Sequence, residues 1–116
     1  MTRMSATVTL SRKLILERPL VAPDGAGGFA RSWEVLGTVW AAVRARSGQE
    51  RDAGEVTLSR ARYKITLRAA PVGSEERPTP DCRFRDGDRV FAIEAVAEAD
   101  PFGRYLECYA SEEVAQ

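Results

Sequence analysis

Between Arg62 and Ala69 the chain alternates without a break: Tyr63, Ile65, Leu67 and Ala69 fall on one side and Arg62, Lys64, Thr66 and Arg68 on the other. A period of two is the signature of a strand with one buried and one wet face, and no helix can carry it. The rest of the chain is punctuated in the same style, with short apolar runs bounded by Gly, Pro and Asp clusters, so the residues predict an antiparallel all-β fold. Residues 12–21 read as a strand in which Pro19 favours an edge. The segment 22–28, with its three glycines, reads as a turn. Residues 29–45 form a long extended run in which Trp33, Val35, Val39, Ala41 and Val43 alternate with more polar neighbours, and Gly37 predicts a bulge or bend. Residues 71–80 form a polar loop, since prolines at 71, 78 and 80 bar a useful helix. Residues 82–99 read as two strands about the Asp-Gly signal at Asp86-Gly87, 100–104 as a turn, and 105–110 as a last strand. The tail 111–116 is expected to fray.

One segment fits none of these patterns. Residues 46–61 are polar, carry Gly48 and Gly54, and hold few apolar side chains, so a loop with room for one or two helical turns near 50–60 is expected between the second and third strands. At about 16 residues it is long for a compact domain, and loops of that length tend to be functional or disordered.

With 116 residues the chain is read as a single domain, 1–116, which at this size hides roughly two thirds of the surface its unfolded form exposes. Its longest uncharged stretch, 35–43, is far below the roughly 20 residues of a spanning helix, so no membrane partner is expected. No apolar core of a secretory signal follows the basic start, which predicts action in the cytoplasm, and Cys82 and Cys108 are then expected as reduced core thiols. Histidine is absent, which removes the usual general base and most zinc ligand sets. Asp86 and Asp88 have a turn explanation, the glycines of 24–29 lack the lysine of a phosphate loop, and no calcium loop is spaced correctly. Catalytic residues, cofactors and metals are therefore expected to be none.

Net charge is zero but unevenly laid out: 44–68 holds seven basic residues against three acidic ones, and 86–116 eight acidic against two basic. Two oppositely charged surfaces are expected if copies meet heterologously in a ring or stack between different partners; the alternative is a solvated mixture. Trp33, Trp40, Tyr63, Phe84, Phe91, Tyr105 and Tyr109 all fall in predicted strands and read as core. The competing reading is a small nucleic-acid-binding β-barrel with stacking aromatics, which the separation of Tyr63 from the basic row onto opposite faces weakens.

Taken in order, Gly27-Gly28 followed by Trp33, then Val39-Trp40-Ala41, Gly48 and Glu50, and the strand carrying Tyr63, Ile65 and Leu67 give a chain that resembles the head-tail joining (head-closure, or stopper) family of tailed bacteriophages, with related proteins in gene transfer agents. The resemblance spans about residues 10–110; it departs at the start, where about ten residues, 1–10, precede the first strand and are expected to form a flexible arm. What it implies is a small antiparallel β-barrel that assembles as a homo-oligomeric ring, a hexamer, between portal and adaptor proteins on the head side and tail terminator or tail-tube proteins on the other, with double-stranded DNA passing through. It further implies that the loop faces the channel, which here points to Arg46, Gly48, Glu50, Arg51, Asp52, Gly54, Glu55 and Arg60. Such a protein acts in the cytoplasm during assembly and then at the head-tail joint of the particle; a different connector layer, such as a tail terminator, is the neighbouring alternative.

Overall fold

The computed structural model describes residues 9–46, 59–71 and 74–114. Its strands are β1 (Arg12–Pro23), β2 (Phe29–Ala45), β3 (Ser59–Arg68), β4 (Arg83–Asp86), β5 (Arg89–Glu98) and β6 (Tyr105–Val114). All neighbours are antiparallel, in the order β1-β2-β3-β6-β5-β4, and β4 returns to β1 to close a barrel.

Period-two alternation fills the interior. Ile65 and Leu67 of β3 point inward to meet Leu14 and Leu16 of β1, Ala41 of β2, Phe84 of β4, Phe91 and Ile93 of β5, and Leu106, Cys108 and Ala110 of β6. Tyr63 lies at the margin of this core and meets Phe91 edge to face, with ring centroids 5.2 Å apart. Burial pushes the Cys108 thiol up to about 12, so it packs as an apolar side chain, and both cysteines are free.

The turns follow local chemistry. β4 and β5 are joined by Gly87-Asp88, with Asp86 paired to Arg89 and Gly87 at φ +63°. Between β1 and β2 the Asp24 carboxylate accepts from the amides of Ala26 (2.8 Å) and Gly28 (3.0 Å). Gly27 there has φ +89°, and a Cβ on Gly28 would stand 3.1 Å from the Asp24 carboxylate, so neither position accepts a side chain without strain. The bulge foreshadowed by Gly37 sits at its neighbour Leu36: Leu16 faces Gly37 and Glu17 faces Val35, which leaves Leu36 as the extra residue.

Three expectations are corrected. Residues 59–61 belong to β3, so Arg60 and Ala61 are strand residues rather than loop. Residues 111–114 do not fray: β6 runs on to Val114, paired with the start of β3. The first strand extends to Pro23, so the reversal is confined to 24–28. Pro19 is tolerated because β1 pairs with β4 only over Ile15–Glu17, and beyond that one side of β1 is unpaired.

Closure rests on that short seam and on Glu17, which is 4% exposed and accepts from Arg83 Nε (2.7 Å) and Arg85 Nε (2.9 Å) of β4. Burial alone would raise its pKa, but the two arginine hydrogen bonds outweigh it and hold Glu17 below the ordinary carboxylate value of 4.5. A depressed carboxylate stabilises the fold above its unfolded pKa, and the contribution is lost as pH falls through the depressed value. Glu17→Gln is expected to cost about 2–4 kcal/mol at neutral pH in urea unfolding and to flatten the loss of stability below pH 4.5. A variant as stable as the parent at pH 7 would remove Glu17 from the closure.

Candidate functional site

Antiparallel order brings the ends of β2 and β6 and the starts of β1 and β3 to one rim of the barrel, together with the β4–β5 turn. Segment 46–61 leaves and re-enters at this rim. Of its candidate residues, Gly48, Glu50, Arg51, Asp52, Gly54 and Glu55 lie outside the described residues, whereas Arg46 and Arg60 are described and flank it. The Arg46 amide donates to the Arg62 carbonyl (2.8 Å), which continues the β2–β3 pairing by one residue. Its guanidinium lies 5.1 Å from the centroid of Tyr109. Arg60 donates to Ser111 Oγ at 3.2 Å and lies 3.9 Å from Glu94, the extra residue of a bulge in β5.

The same rim carries an ionic cluster. Arg89 donates to Glu112 through Nε (2.8 Å) and Nη2 (3.0 Å), and the Tyr63 hydroxyl donates to the same carboxylate at 3.2 Å while accepting from Arg89 Nη2 at 3.2 Å. The Arg89 hydrogen bonds hold Glu112 below the usual carboxylate range, and Glu112 in turn raises Arg89. Arg12 and Asp86 add a further pair at 2.9 Å. These groups are each satisfied by one another, an arrangement suited to fixing strand ends rather than to moving protons. Sequence reasoning missed the cluster because Tyr63, Arg89 and Glu112 stand 23 or more positions apart; the signal was a run of charged residues at strand ends.

Space also rearranges the charge. Strands β3 and β6, which carry parts of the basic and the acidic stretch, are paired along their whole length, from Ser59↔Val114 to Arg68↔Tyr105. Lys64 meets Glu107 at 3.6 Å, and Glu107 accepts from the Tyr109 hydroxyl at 2.7 Å, which raises that phenol's pKa. Within β3 and β6 the expected separation into opposite poles is corrected: charges segregated in sequence interleave across the two strands. The same pairing sets Tyr105 and Tyr109 beside the outward basic row, although Tyr63 faces away from it. Arg68 lies 5.7 Å from the Tyr105 ring centroid.

Of the other family-pattern residues, Gly27 and Gly28 form the β1–β2 turn and Ile65 and Leu67 lie in the core. Trp33 and Trp40 are not core. Trp33 is half-buried on the outer face beneath Arg83, whose guanidinium carbon is 4.0 Å from its centroid. Trp40 is 55% exposed, because β2 pairs with β3 only from Ala41 onward and, among the described residues, no other strand flanks it on that side.

This all-β chain matches the family model described as phage head completion protein over residues 6–113. The chain belongs to the phage head completion protein family. A chain in the solved structure of the virion of a native gene transfer agent particle is similar to it at 50% sequence identity and a TM-score of 0.80, covering 93% of this chain and 98% of that one. No curated protein matches. Head completion proteins are structural components of the particle, not an enzyme class, and the chain's role lies with the phage head-tail structure.

Phe29 and Phe102 are 73% and 74% exposed and so contribute little to this fold. Phe29→Ser and Phe102→Ser are expected to change stability by less than about 0.5 kcal/mol, whereas Phe91→Ala costs about 3–5 kcal/mol in the same denaturant titration. A large loss at Phe29 would mean that the β1–β2 turn packs against the chain's own barrel.

Proposed function

We propose that this head completion protein forms a head-closure, or stopper, ring that joins the portal-adaptor complex of a DNA-filled head to the tail, with segment 46–61 facing the DNA channel. The observation that carries the reading is the likeness, at half identity over nearly the full length of both chains, to a component of a gene transfer agent virion. The assigned partners are other copies of the chain, six to a ring as the resemblance implies, portal or adaptor proteins on one side, and tail terminator or tail-tube proteins on the other. Assembly takes place in the producing cell before the particle is complete.

The rim chemistry supports a channel that passes DNA without gripping it. Each Lys or Arg that contacts phosphate adds salt-dependent affinity, and a strong hold would oppose ejection. At the described ends of the segment, Arg60 is shared between Glu94 and Ser111, and Arg46 lies over Tyr109, so neither stands as an isolated cation. Glu50, Asp52 and Glu55 give the rest of the segment acidic members against Arg51. The adjacency of Tyr105 and Tyr109 to Lys64 and Arg68 favours a second reading, direct binding of single strands through an outer aromatic-basic face, which predicts tight, Tyr-dependent binding of free oligonucleotides.

Electron microscopy of particles from cells lacking only this chain tests the connector. Filled or leaking heads beside separate, complete tails are expected, and normally tailed particles would end the connector reading. Shortening 48–58 is expected to leave joined particles that lose DNA; full retention would take the plug role from the segment while leaving the joint in place.

A further inference from the structure

Beyond the barrel, residues 18–23 of β1 and 29–34 of β2 continue as a two-stranded arm. Paired residues share a face, so Pro19 with Trp33, Val21 with Arg31 and Pro23 with Phe29 line one side of it. Val21 is 64% exposed and Phe29 73%, an apolar knob that nothing in the chain covers among the described residues.

A recess of the same character lies elsewhere on the chain. β2 and β3 pair from Ala45↔Tyr63 to Ala41↔Leu67 and then diverge, opening a cleft of about 480 Å3 lined by Leu36, Val39, Trp40 and Leu67, with Arg68 and Glu76. Arg68 is drawn over Tyr105, and among the described residues Glu76 makes no ion pair. The arm face brings Arg31, whose guanidinium carbon lies 5.6 Å from the centroid of Trp33 on the same face, while Arg18 and Glu34, on the opposite face, pair with each other at 2.8 Å. Knob and recess thus match in polarity, and Arg31 matches Glu76 in sign.

We propose that the cleft beside β2 receives the β1–β2 arm of the next copy of this chain, with Phe29 against Trp40 and Arg31 against Glu76. The proposal rests on the ring reading above and names its contact. Two different patches of one chain meet, so the contact is heterologous and propagates head to tail until rotation closes it. Aromatic anchors in a recess carry most of the energy of such contacts. The bulge at Leu36 interrupts the free edge of β2, so the contact rests on side chains in the cleft rather than on a continuous strand ladder.

The test is a Phe29→Cys/Trp40→Cys chain expressed in particle-producing cells, with purified particles oxidised and run without reductant. Cys82 and Cys108 are 5% and 0% exposed and do not compete. A ladder of covalent multimers of this chain is expected from the double variant and monomer from each single one. Arg31→Glu and Glu76→Arg are each expected to lower the ladder yield several-fold, and the two together to restore it. Monomer alone from particles that contain the double variant, or a cross-link to a different particle protein, would overturn the arm contact and leave the connector reading standing. Absence of the parent chain from particles would overturn both. If the double cysteine chain does not enter particles, the charge variants decide by particle yield: loss in each single with recovery in the pair supports the contact, and equal yields in all three overturn it.

Discussion

Everything else in this barrel depends on a seam of three residue pairs, Ile15↔Arg85, Leu16↔Phe84 and Glu17↔Arg83. Backbone pairing so short specifies register weakly, and a slip of one residue would turn every side chain of β4 to the opposite face. Glu17 removes that freedom. Its two oxygens are each taken by a different arginine, two residues apart on β4, so only one alignment satisfies both. A buried ion pair contributes modestly to net stability after desolvation, but the cost of mispairing it is large, and that difference is what selects the closed barrel.

Closure at this position also creates the arm. β4 is four residues long and covers only the middle of β1, and β3 covers only the last part of β2. The two longest strands therefore outrun their partners in one direction and carry Val21 and Phe29 into solvent. Arg83 links the two features: it donates to Glu17 and lies on Trp33, so the residue that closes the barrel also braces the root of the arm.

How much of this was legible depended on the range of the interaction. Alternation in Arg62–Ala69, the Gly87 turn and the bulge signal at Gly37 are local signals, and each led to the right element. The strand ends at 59–61 and 111–114 were not legible, because those residues pair with each other across half the chain and neither looks like a strand alone. Trp40 was read as core because a tryptophan in an apolar run usually is; its exposure follows from where β2 leaves β3, which no local pattern encodes. The expectation of separate basic and acidic poles failed in β3 and β6 for the same reason. Of the candidate segment, its polarity was readable; its end, which β3 takes over from Ser59, and its flanking contacts, Arg46 with Tyr109 and Arg60 with Glu94, were not.

The remaining step concerns what anchors segment 46–61. A segment joining two strands can bear force only if its two ends hold still, since otherwise the force would be spent in pulling the strands apart. β2 and β3 are fastened at the rim by the Arg46–Arg62 backbone bond, and β3 is fastened to β5 and β6 by Tyr63, Arg89 and Glu112. The Arg89 side chain is 42% exposed, so solvent screens these charged hydrogen bonds, and sharing one carboxylate between a phenol and a two-pronged guanidinium couples them. The described ends of the segment are thus tied to the barrel, and that anchoring is built into which residues β3, β5 and β6 place at this rim.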